Sequence, residues 1–463
     1  MSARSDGGRD LVRLDALGPG GAYRSRNIQT VNDIHGAPFA ELSLVPPLFV
    51  ARTMSALRKA DPLPLEQRLD AIARAGRAFA TGTVGGLSAE EYQHAVCRVS
   101  GLPWVTTEMA LEFTAQYTER AYLSSQLARP TGAVNDWRDP RTRHGSGVWA
   151  RRGDVFAVHA PGNTPSAHTL WLQSLALGYR VAVRPSSREP FSPHRWITAL
   201  RDAGFGPDQV ALLPTDHATA DEVVRGADLA MVYGDDEVVR RYASMATVLP
   251  QGPGRSKFLV TKDADWMSYL DTIVSSVSAH GGAACINTTA VFVEGDPAPV
   301  ARAIAERLSA LPSLPPLDPK AVLPVKPIDE ARRIERFLLA EAAGTTPWLG
   351  GDGIVDDLGD GTAVLRPAVH QVSAPDAPQT RIEQRFPCVW VAPWNPEAGV
   401  GPLRDTVVLT AVTDDETLVD RLFAEPSIAN VYLGDHPTYW LPPGIPHDDY
   451  LESFLMRTKA CVR

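Results

Sequence analysis

The sequence predicts an α/β protein built around a parallel sheet, and three observations carry this prediction. Strand-like apolar runs alternate with helical periodicity over residues 154–262. The length of 463 residues is too great for one ordinary hydrophobic core, so two or three domains are expected. The composition, 44% hydrophobic and 21% charged, is ordinary for a globular protein. Strands that alternate with helices form a parallel sheet covered on both faces.

Each element of this alternation has ordinary length. The predicted strands are "DVFAVHA", "RVAVRP", "QVALLP", "DLAMVYG" and "KFLVTK", and the helices between them are "AHTLWLQSLALGY", "SPHRWITALRDAG", "TADEVVRGA" and "DEVVRRYASMA". Ligands bind beyond the carboxyl ends of such strands, which draws attention to the loops "APGNTPS", "RPSSREP", "PTDHAT" and "YGDDE". Before this region, residues 62–126 have helical spacing, and the first ~20 residues are expected to be loosely ordered.

Charge, apolar runs and cysteine usage exclude several classes of function. The net charge of −9, without a basic cluster, argues against a nucleic-acid partner. No apolar run is long enough to span a bilayer, and the amino-terminal "MSARSDGGRD" does not have the pattern of a signal peptide. The four cysteines lack CxxC spacing, which indicates free thiols and no metal site. We therefore expect a cytoplasmic protein without membrane association.

Cys285, in "HGGAACINTTAVFVEGD", is the candidate nucleophile. Two glycines precede it, so the backbone is free to bring a partner close. A thiolate attacks a carbonyl carbon readily. The other cysteines suit packing or surface positions, because Cys97 lies in a helical pattern, Cys388 follows a proline and Cys461 is almost terminal.

Four short motifs, read together, resemble those of the aldehyde dehydrogenase superfamily: "APGNTPSA", "VAVRPSSREP", "GAACINTTAVFV" and "EQRFPCVWV". The likeness covers residues 150–395 and is greatest to the acyl-CoA reductase branch, typified by the fatty-acyl reductase of bacterial bioluminescence. It implies a helical region with an NAD(P)-binding α/β domain over residues 1–261 and a catalytic cysteine domain over 262–430. Residues 431–463 would form an oligomerisation element with residues 131–152, and a homo-oligomer is expected.

The resemblance implies catalytic roles for three residues. Cys285 stands at the family's nucleophile, and Asn163 at the carboxamide that, with the Cys285 N–H, stabilises the oxyanion by about 3 kcal/mol per donor. Gln251 stands where the hydrolytic members have the glutamate that activates water. A carboxamide cannot take a proton from water near neutral pH, so an acyl group on Cys285 should resist hydrolysis. His280 precedes Cys285 by five residues and could lower its pKa, and His159 could face the same site, although packing is the commoner role for each.

The resemblance also implies a nicotinamide cofactor, although the GxGxxG motif is absent. Arg184 stands at a family lysine that binds the adenosine ribose, and its guanidinium fork suits a phosphate. Ser187 replaces a glutamate that repels the 2′-phosphate in NAD-preferring members, so NADP(H) is favoured over NAD(H). Gly234 matches the turn at the pyrophosphate, while Gln384 and Phe386 match the segment that holds the nicotinamide ribose.

These residues predict a reductive reaction. An activated acyl group, as a CoA thioester, a carrier thioester or an acyl adenylate, would be transferred to Cys285 and reduced by NAD(P)H to an aldehyde. The expected partners are a small-molecule acyl donor and an acyl-activating or carrier protein. Two alternatives remain open: oxidation of an aldehyde to an acid with an unidentified base, and a non-catalytic member that binds a partner. The second is motivated by Gln251, Gln384 and the acidic "GDDE" turn.

Overall fold

A computed structural model describes residues 11–463 of the chain. The helices are α1 (Pro47–Lys59), α2 (Leu65–Thr81), α3 (Ala89–Ser100), α4 (Trp104–Thr118), α5 (Leu123–Ala128), α6 (Thr169–Ala176), α7 (Phe191–Asp202), α8 (His217–Gly226), α9 (Asp236–Tyr242), α10 (Leu270–Ser278), α11 (Ala298–Ser309), α12 (Ile328–Glu341), α13 (Glu416–Ala424) and α14 (Leu451–Leu455). Within this range, no helix combines the length and the apolar character that a bilayer crossing requires.

The strands of the described residues form two large sheets and three small ones. They are β1 (Val12–Leu14), β2 (Ala16–Gly18), β3 (Gly21–Tyr23), β4 (Ile28–Asn32), β5 (Pro38–Ser43), β6 (Ala133–Val134), β7 (Ser146–Arg151), β8 (Val155–His159), β9 (Arg180–Arg184), β10 (Val210–Leu212), β11 (Leu229–Tyr233), β12 (Val248–Gln251), β13 (Ser256–Val260), β14 (Thr288–Glu294), β15 (Val325–Pro327), β16 (Thr346–Leu349), β17 (Val355–Asp357), β18 (Thr362–Leu365), β19 (Ala368–Gln371), β20 (Cys388–Trp394), β21 (Thr406–Val412), β22 (Ile428–Leu433) and β23 (Met456–Cys461).

The first seven-stranded sheet has the order β12-β11-β8-β9-β10-β2-β3. Its strands from β12 to β10 are parallel, and β2 and β3 extend it in antiparallel fashion. Both faces are covered, because in β8 Phe156 and Val158 pack with α2, α6 and α7, whereas Val155 and Ala157 pack with α1 and α8. The double burial explains why this strand is a continuous apolar run, and it confirms the predicted fold class.

The second seven-stranded sheet has the order β16-β19-β20-β14-β13-β21-β22, and only β16 runs antiparallel to its neighbour. The chain passes from the first sheet to the second between Gln251 and Ser256. The sequence analysis assigned "KFLVTK" to the first unit, with a boundary at 261/262, but β13 pairs with β14 and β21. An apolar run does not reveal which of two sheets it joins.

A small sheet brings two distant segments together. Strand β23 runs antiparallel to β7, with Met456 opposite Arg151 and Cys461 opposite Ser146, and β6 lies parallel to β7 on the other side. The resemblance assigned these two segments to one element. A role of this sheet in oligomerisation stays a prediction.

The amino-terminal segment differs from the expected loose order. Residues 1–10 lie outside the described residues, but β1 pairs with β5 and β2 pairs with β10. Leu14 and Ala16 are 2% and 0% exposed, so these short strands carry core side chains. Tertiary pairing outweighs the turn-forming composition of this segment.

Candidate active site

A cavity of about 680 Å³ lies at the carboxyl ends of the parallel strands of the first sheet. Each of the four loops that follow these strands contributes to its wall, through Asn163, Ser187, His217 and Gly234 among others. Cys285, which precedes β14 of the second sheet, lies on the same wall. The cavity therefore lies between the two sheets.

The loop that carries Cys285 has an unusual backbone. His280, Gly281 and Gly282 have φ angles of 54°, 65° and 68°, in the left-handed region. A Cβ on Gly282 would lie 2.3 Å from the backbone nitrogen of Pro387, so only glycine fits there. For His280, which has a side chain, this conformation costs about 1–2 kcal/mol. Such strain persists only where the surroundings fix the backbone.

Asn287 fastens this loop to the end of α10. Its side-chain oxygen accepts a 2.9 Å hydrogen bond from the Ala284 N–H. Its amide nitrogen donates to the carbonyls of Ser276 and Ala279 at 3.0 and 2.8 Å. Asn287 is 3% exposed, and its three hydrogen bonds fix the residue that precedes Cys285. Sequence reasoning missed this role.

The Cys285 sulfur begins a chain of polar side chains. Its Sγ lies 3.2 Å from Nε2 of His447, and Nδ1 of His447 lies 3.4 Å from Oδ1 of Asp448. Gln251 then donates from Nε2 to Oδ2 of Asp448 at 2.9 Å. The prediction that an acyl group on Cys285 resists hydrolysis considered only the carboxamide of Gln251, whereas a histidine lies beside the sulfur.

Two members of this chain have shifted pKa values. Burial lowers the pKa of His447, but the charges of Cys285 and Asp448 outweigh it, and the net shift is well upward. Burial raises the pKa of Asp448, but its contacts with His447 and Gln251 outweigh it, and the net shift is downward. Both shifts favour the charged form of the group, the imidazolium of His447 and the carboxylate of Asp448. A cation next to a cysteine sulfur favours the thiolate.

The two histidines considered from the sequence have other environments. His159 is buried, its Nε2 lies 3.1 Å from the Ala220 carbonyl oxygen, and burial lowers its pKa to about 4. His280 packs edge-on against Tyr439, and burial lowers its pKa to about 4 as well. Both imidazoles are uncharged at neutral pH. His447, which sequence reasoning missed, is the histidine in contact with the sulfur.

Asn163 lies on the cavity wall and contacts the loop of Cys285. Its Nδ2 donates to the carbonyl of Ala283 at 3.0 Å. A carboxamide nitrogen carries two hydrogens, so this bond orients the group and leaves the second N–H for another acceptor.

Three of the residues assigned to the cofactor lie on the cavity wall: Arg184, Ser187 and Gly234. Arg184 ends β9 and donates from Nε to Oγ1 of Thr215 at 2.8 Å. Of the acidic turn, Asp235 caps α9 by accepting from two backbone N–H groups. Its neighbour Asp236 forms an ion pair of 2.6 Å with Arg255. The two aspartates of the acidic turn thus have partners within the protein, which are the first N–H groups of α9 and the guanidinium of Arg255.

The segment "EQRFPCV" presents different residues from those assigned. Among the described residues, Glu383 and Arg385 line the cavity, whereas Gln384 and Phe386 do not. Phe386 is 1% exposed in the core of the second sheet. Glu383 accepts a 2.8 Å hydrogen bond from the Arg255 N–H, and burial raises its pKa to about 7. Within residues 11–463, no group of three or more His, Cys, Asp or Glu side chains is arranged to hold a metal ion.

Comparison with known proteins identifies the family of the chain. A sequence profile described as the aldehyde dehydrogenase family matches residues 24–399, which is most of the chain. The chain belongs to the aldehyde dehydrogenase family. This family consists of NAD(P)-dependent oxidoreductases that act on aldehydes.

Curated relatives match parts of this chain. Aldehyde dehydrogenase 1A1 of Equus caballus is 28% identical over 145 residues, which is 29% of each chain. The 2-hydroxymuconic semialdehyde dehydrogenase of Pseudomonas sp. (strain CF600) is 25% identical over 259 residues, which is 49% of this chain and 52% of the relative. The matches thus span 29% and 52% of the lengths of these relatives.

Solved structures match the fold over almost the whole chain. Aldehyde dehydrogenase 21 from Physcomitrella patens, in complex with the reaction product succinate, superposes with a TM-score of 0.81 at 16% identity, covering 98% of this chain and 99% of that one. Indole-3-acetaldehyde dehydrogenase from P. syringae, in complex with NAD+ and IAA, has a TM-score of 0.82 at 15% identity, with coverage of 97% and 96%. These likenesses confirm the aldehyde dehydrogenase fold.

The polar groups on the cavity wall fit a nicotinamide dinucleotide. The guanidinium of Arg184 and the hydroxyls of Ser186 and Ser187 lie beyond the end of β9, where they suit ribose and phosphate groups. The same cavity continues to Cys285, so one ligand can contact both. These first-sheet residues would hold the nucleotide, if one binds in this cavity.

One segment of the aldehyde dehydrogenase site escaped sequence reasoning. His447 and Asp448 stand in "GIPHDD", within the tail that was assigned to oligomerisation. The available signal was weak: the segment is aperiodic and proline-rich, as loops are, and catalytic residues are enriched on loops.

Proposed function

We propose that this protein oxidises an aldehyde to the carboxylic acid with NAD(P)+, through a covalent intermediate on Cys285. The contact of 3.2 Å between Cys285 Sγ and His447 Nε2, on the wall of the cavity that also contains Arg184, carries this proposal. The family supports it, as do the two curated relatives, which are named as aldehyde and semialdehyde dehydrogenases.

The residues of the cavity account for the steps of this reaction. The Cys285 thiolate adds to the aldehyde carbon, and negative charge develops on the oxygen. The free N–H of Asn163 and the N–H of Cys285 stabilise this charge, each by about 3 kcal/mol. Arg184, Ser186 and Ser187 would hold a nicotinamide cofactor, which would supply an acceptor for the hydride of this carbon. Water then adds to the thioester on Cys285, and the sulfur departs as a thiolate.

Within this proposal, NADP(H) is favoured over NAD(H). Arg184 offers a guanidinium to a 2′-phosphate, and Ser187 brings no charge that would repel it. The bond from Arg184 to Thr215 uses the Nε edge and a carbonyl contact at 3.3 Å, which leaves donors for a phosphate.

A second candidate is the reductive direction, favoured by one observation. Gln251 stands at the position of the family's glutamate, but it is a carboxamide and donates its N–H to Asp448. It therefore cannot take a proton from water. An acyl thioester on Cys285 would then be reduced by NAD(P)H, with an acyl-CoA or a carrier protein as donor. His447 counts against this candidate, because an imidazole next to the sulfur can take a proton from water.

Product analysis separates the two candidates. The purified full chain would be incubated with a panel of aldehydes and NAD+ or NADP+, and separately with a panel of acyl-CoAs and NADPH, with C285S as the control. We expect acid from aldehyde without any added thiol. Aldehyde from acyl-CoA, without acid from aldehyde, would replace the oxidative proposal with the reductive one. Neither product, together with no acyl adduct on Cys285, would favour a non-catalytic role.

A further inference from the structure

We infer that His447 is the acid–base residue of this enzyme, and that Asp448 and Gln251 are positioning residues that hold its imidazole against Cys285. The inference rests on the proposed function, whose last step requires a base for water. It moves this role from position 251, where the family resemblance would put a glutamate, to a segment that follows the last strand of the second sheet.

The segment that carries His447 is fixed at both ends. Asn430, at 9% exposure in β22, donates from Nδ2 to the carbonyl of Val407 at 2.9 Å and to the carbonyl of His447. Beyond the histidine, Glu452 is fully buried and accepts a 2.9 Å hydrogen bond from Ser125 of the first domain. His447 therefore lies where the chain bridges the two sheets, which gives its ring a defined position.

The amide donor of Gln251 complements the carboxylate acceptor of Asp448. The two carboxylate oxygens of Asp448 face different partners, Oδ1 toward His447 and Oδ2 toward Gln251. Gln251 is 7% exposed at the end of β12, so its amide is a fixed donor. A glutamate there would put two carboxylates in contact. The negative charge that a glutamate at 251 would bring is instead supplied by Asp448.

The proton balance follows from these contacts. When Cys285 attacks, its thiol proton passes to Nε2 of His447, which lies 3.2 Å from the sulfur. Once the sulfur is part of a thioester it has no charge, so His447 loses one of the two charges that hold its proton and releases that proton to solvent. Neutral His447 then takes a proton from water as the water oxygen bonds to the thioester carbon. The carbon–sulfur bond breaks, and the thiolate then faces an imidazolium.

A small cavity lies beside His447 and Asp448, on the side of Ser124 and Gln173. It has a volume of about 70 Å³ and is lined by Gln251, His447 and Asp448, together with Ser124 and Gln173. This volume is large enough for water, and the lining offers several polar partners.

Other titratable groups face the same sulfur and imidazole. Burial, followed by the charges of Cys285 and Asp448, raises the pKa of Tyr233 well above its ordinary value, so its hydroxyl stays protonated. His280 stays neutral, as its pKa of about 4 requires. Glu383 lines the cavity and has a pKa of about 7, so a pH profile needs E383Q as a reference.

Hydrolysis of p-nitrophenyl acetate tests the inference without any cofactor. The ester acylates Cys285, p-nitrophenolate absorbance reports this step, and intact-protein mass reports the acyl-enzyme. We expect H447Q to slow deacylation about 100-fold or more, so that the acyl-enzyme accumulates. The matched control is H436Q, an equal substitution at an exposed histidine of the same segment, which should deacylate as the parent does.

Two further variants, D448N and Q251A, keep the test decisive if H447Q does not fold. Each should shift the pH profile of deacylation, and E383Q shows how much of that profile comes from Glu383. D448E keeps a carboxylate at position 448, so its profile should lie closer to that of the parent than the profile of D448N does. Deacylation that is unchanged in H447Q, or a pH profile that is unchanged in D448N, overturns the inference. Faster deacylation in Q251E would return the base to position 251. Because no aldehyde is oxidised in this assay, the proposed function can fail while the role of His447 survives.

Discussion

Gln251 donates a 2.9 Å hydrogen bond to Asp448, a residue 197 positions away in the sequence. The bond joins the last residue of β12 to the segment that carries His447. It makes the carboxamide of Gln251 the hydrogen-bond donor of the Asp448 carboxylate. A substitution at either residue therefore removes a partner from the other.

Replacing Gln251 by glutamate should destabilise the protein at pH 8 by about 2 kcal/mol, because a buried acceptor loses its donor and gains a like charge. The loss should shrink at pH 5, where the two carboxylates share a proton. Urea unfolding at both pH values measures the effect, with Q251A as the uncharged control. Equal losses for Q251E and Q251A at pH 8 would mean that charge plays no part.

Iodoacetamide should label Cys285 in preference to the buried cysteines. Burial raises the pKa of Cys97 and of Cys388 to about 12, so both remain thiols, whereas Cys285 is partly exposed next to His447. Labelling of Cys285 should be slower in H447Q than in the parent chain at the same pH, because the imidazole that can take the thiol proton is absent. Peptide mapping by mass spectrometry measures the site and rate. Labelling of H447Q at the rate of the parent would contradict the role of His447 beside the sulfur.

Replacing Asn163 by alanine should lower kcat about 100- to 1000-fold, because one donor to the developing oxyanion is lost. KM should change much less, since the charge develops only after the sulfur attacks. Steady-state kinetics with a fixed aldehyde measure both constants. The control is N287A, which should lower the midpoint of thermal unfolding by loosening the Cys285 loop. A rise in KM without a fall in kcat would remove the oxyanion role of Asn163.

Replacing Arg184 by alanine should weaken the binding of NADPH more than that of NADH. The loop at Thr215 loses its hydrogen bonds to Arg184, which weakens the binding of both nucleotides. Only NADPH also loses a partner for its 2′-phosphate. Calorimetric titration of the variant and the parent with each nucleotide measures the difference. R184K is the control that keeps the charge without the fork. Equal losses for the two nucleotides would exclude a contact with the 2′-phosphate.

Glu383 should make the protein less stable as the pH rises. Burial raises its pKa from 4.5 to about 7, so between these values the folded state holds a proton that the unfolded state has released. Stability from this group is therefore complete below about pH 4.5 and is lost as the pH rises through about 7. E383Q should lose this dependence. Thermal unfolding at pH 5.5 and pH 8 checks it, and an equal change with pH in both chains would contradict it.

The sequence predicted the elements whose periodicity is strong. The alternation over residues 154–262 gave the strands β8 to β11 and their helices, because a strand buried on both faces must be apolar throughout. It did not predict β1 to β5, which are short and hold their place through partners distant in sequence. It also did not predict that β13 joins the second sheet.

The candidate site was predicted only where its residues stand in local sequence motifs. Cys285 and Asn163 stand in local motifs, and the cavity wall contains both. His447 and Asp448 have no local pattern, and the contact of His447 with Cys285 spans 162 positions. In the segment 383–386, the resemblance named Gln384 and Phe386, while alternate residues, Glu383 and Arg385, line the cavity. The direction of a side chain depends on backbone geometry that a motif does not encode.

The place of His447 after β22 also separates the partner of the sulfur from the sheets that carry the sulfur. Every strand of both large sheets lies before residue 434, whereas His447 belongs to the segment that follows them. A substitution in this segment can therefore alter the reactivity of Cys285 while the strand pairing of both sheets is kept. Natural variation in this short tail would tune the chemistry of the site without a cost to the two cores.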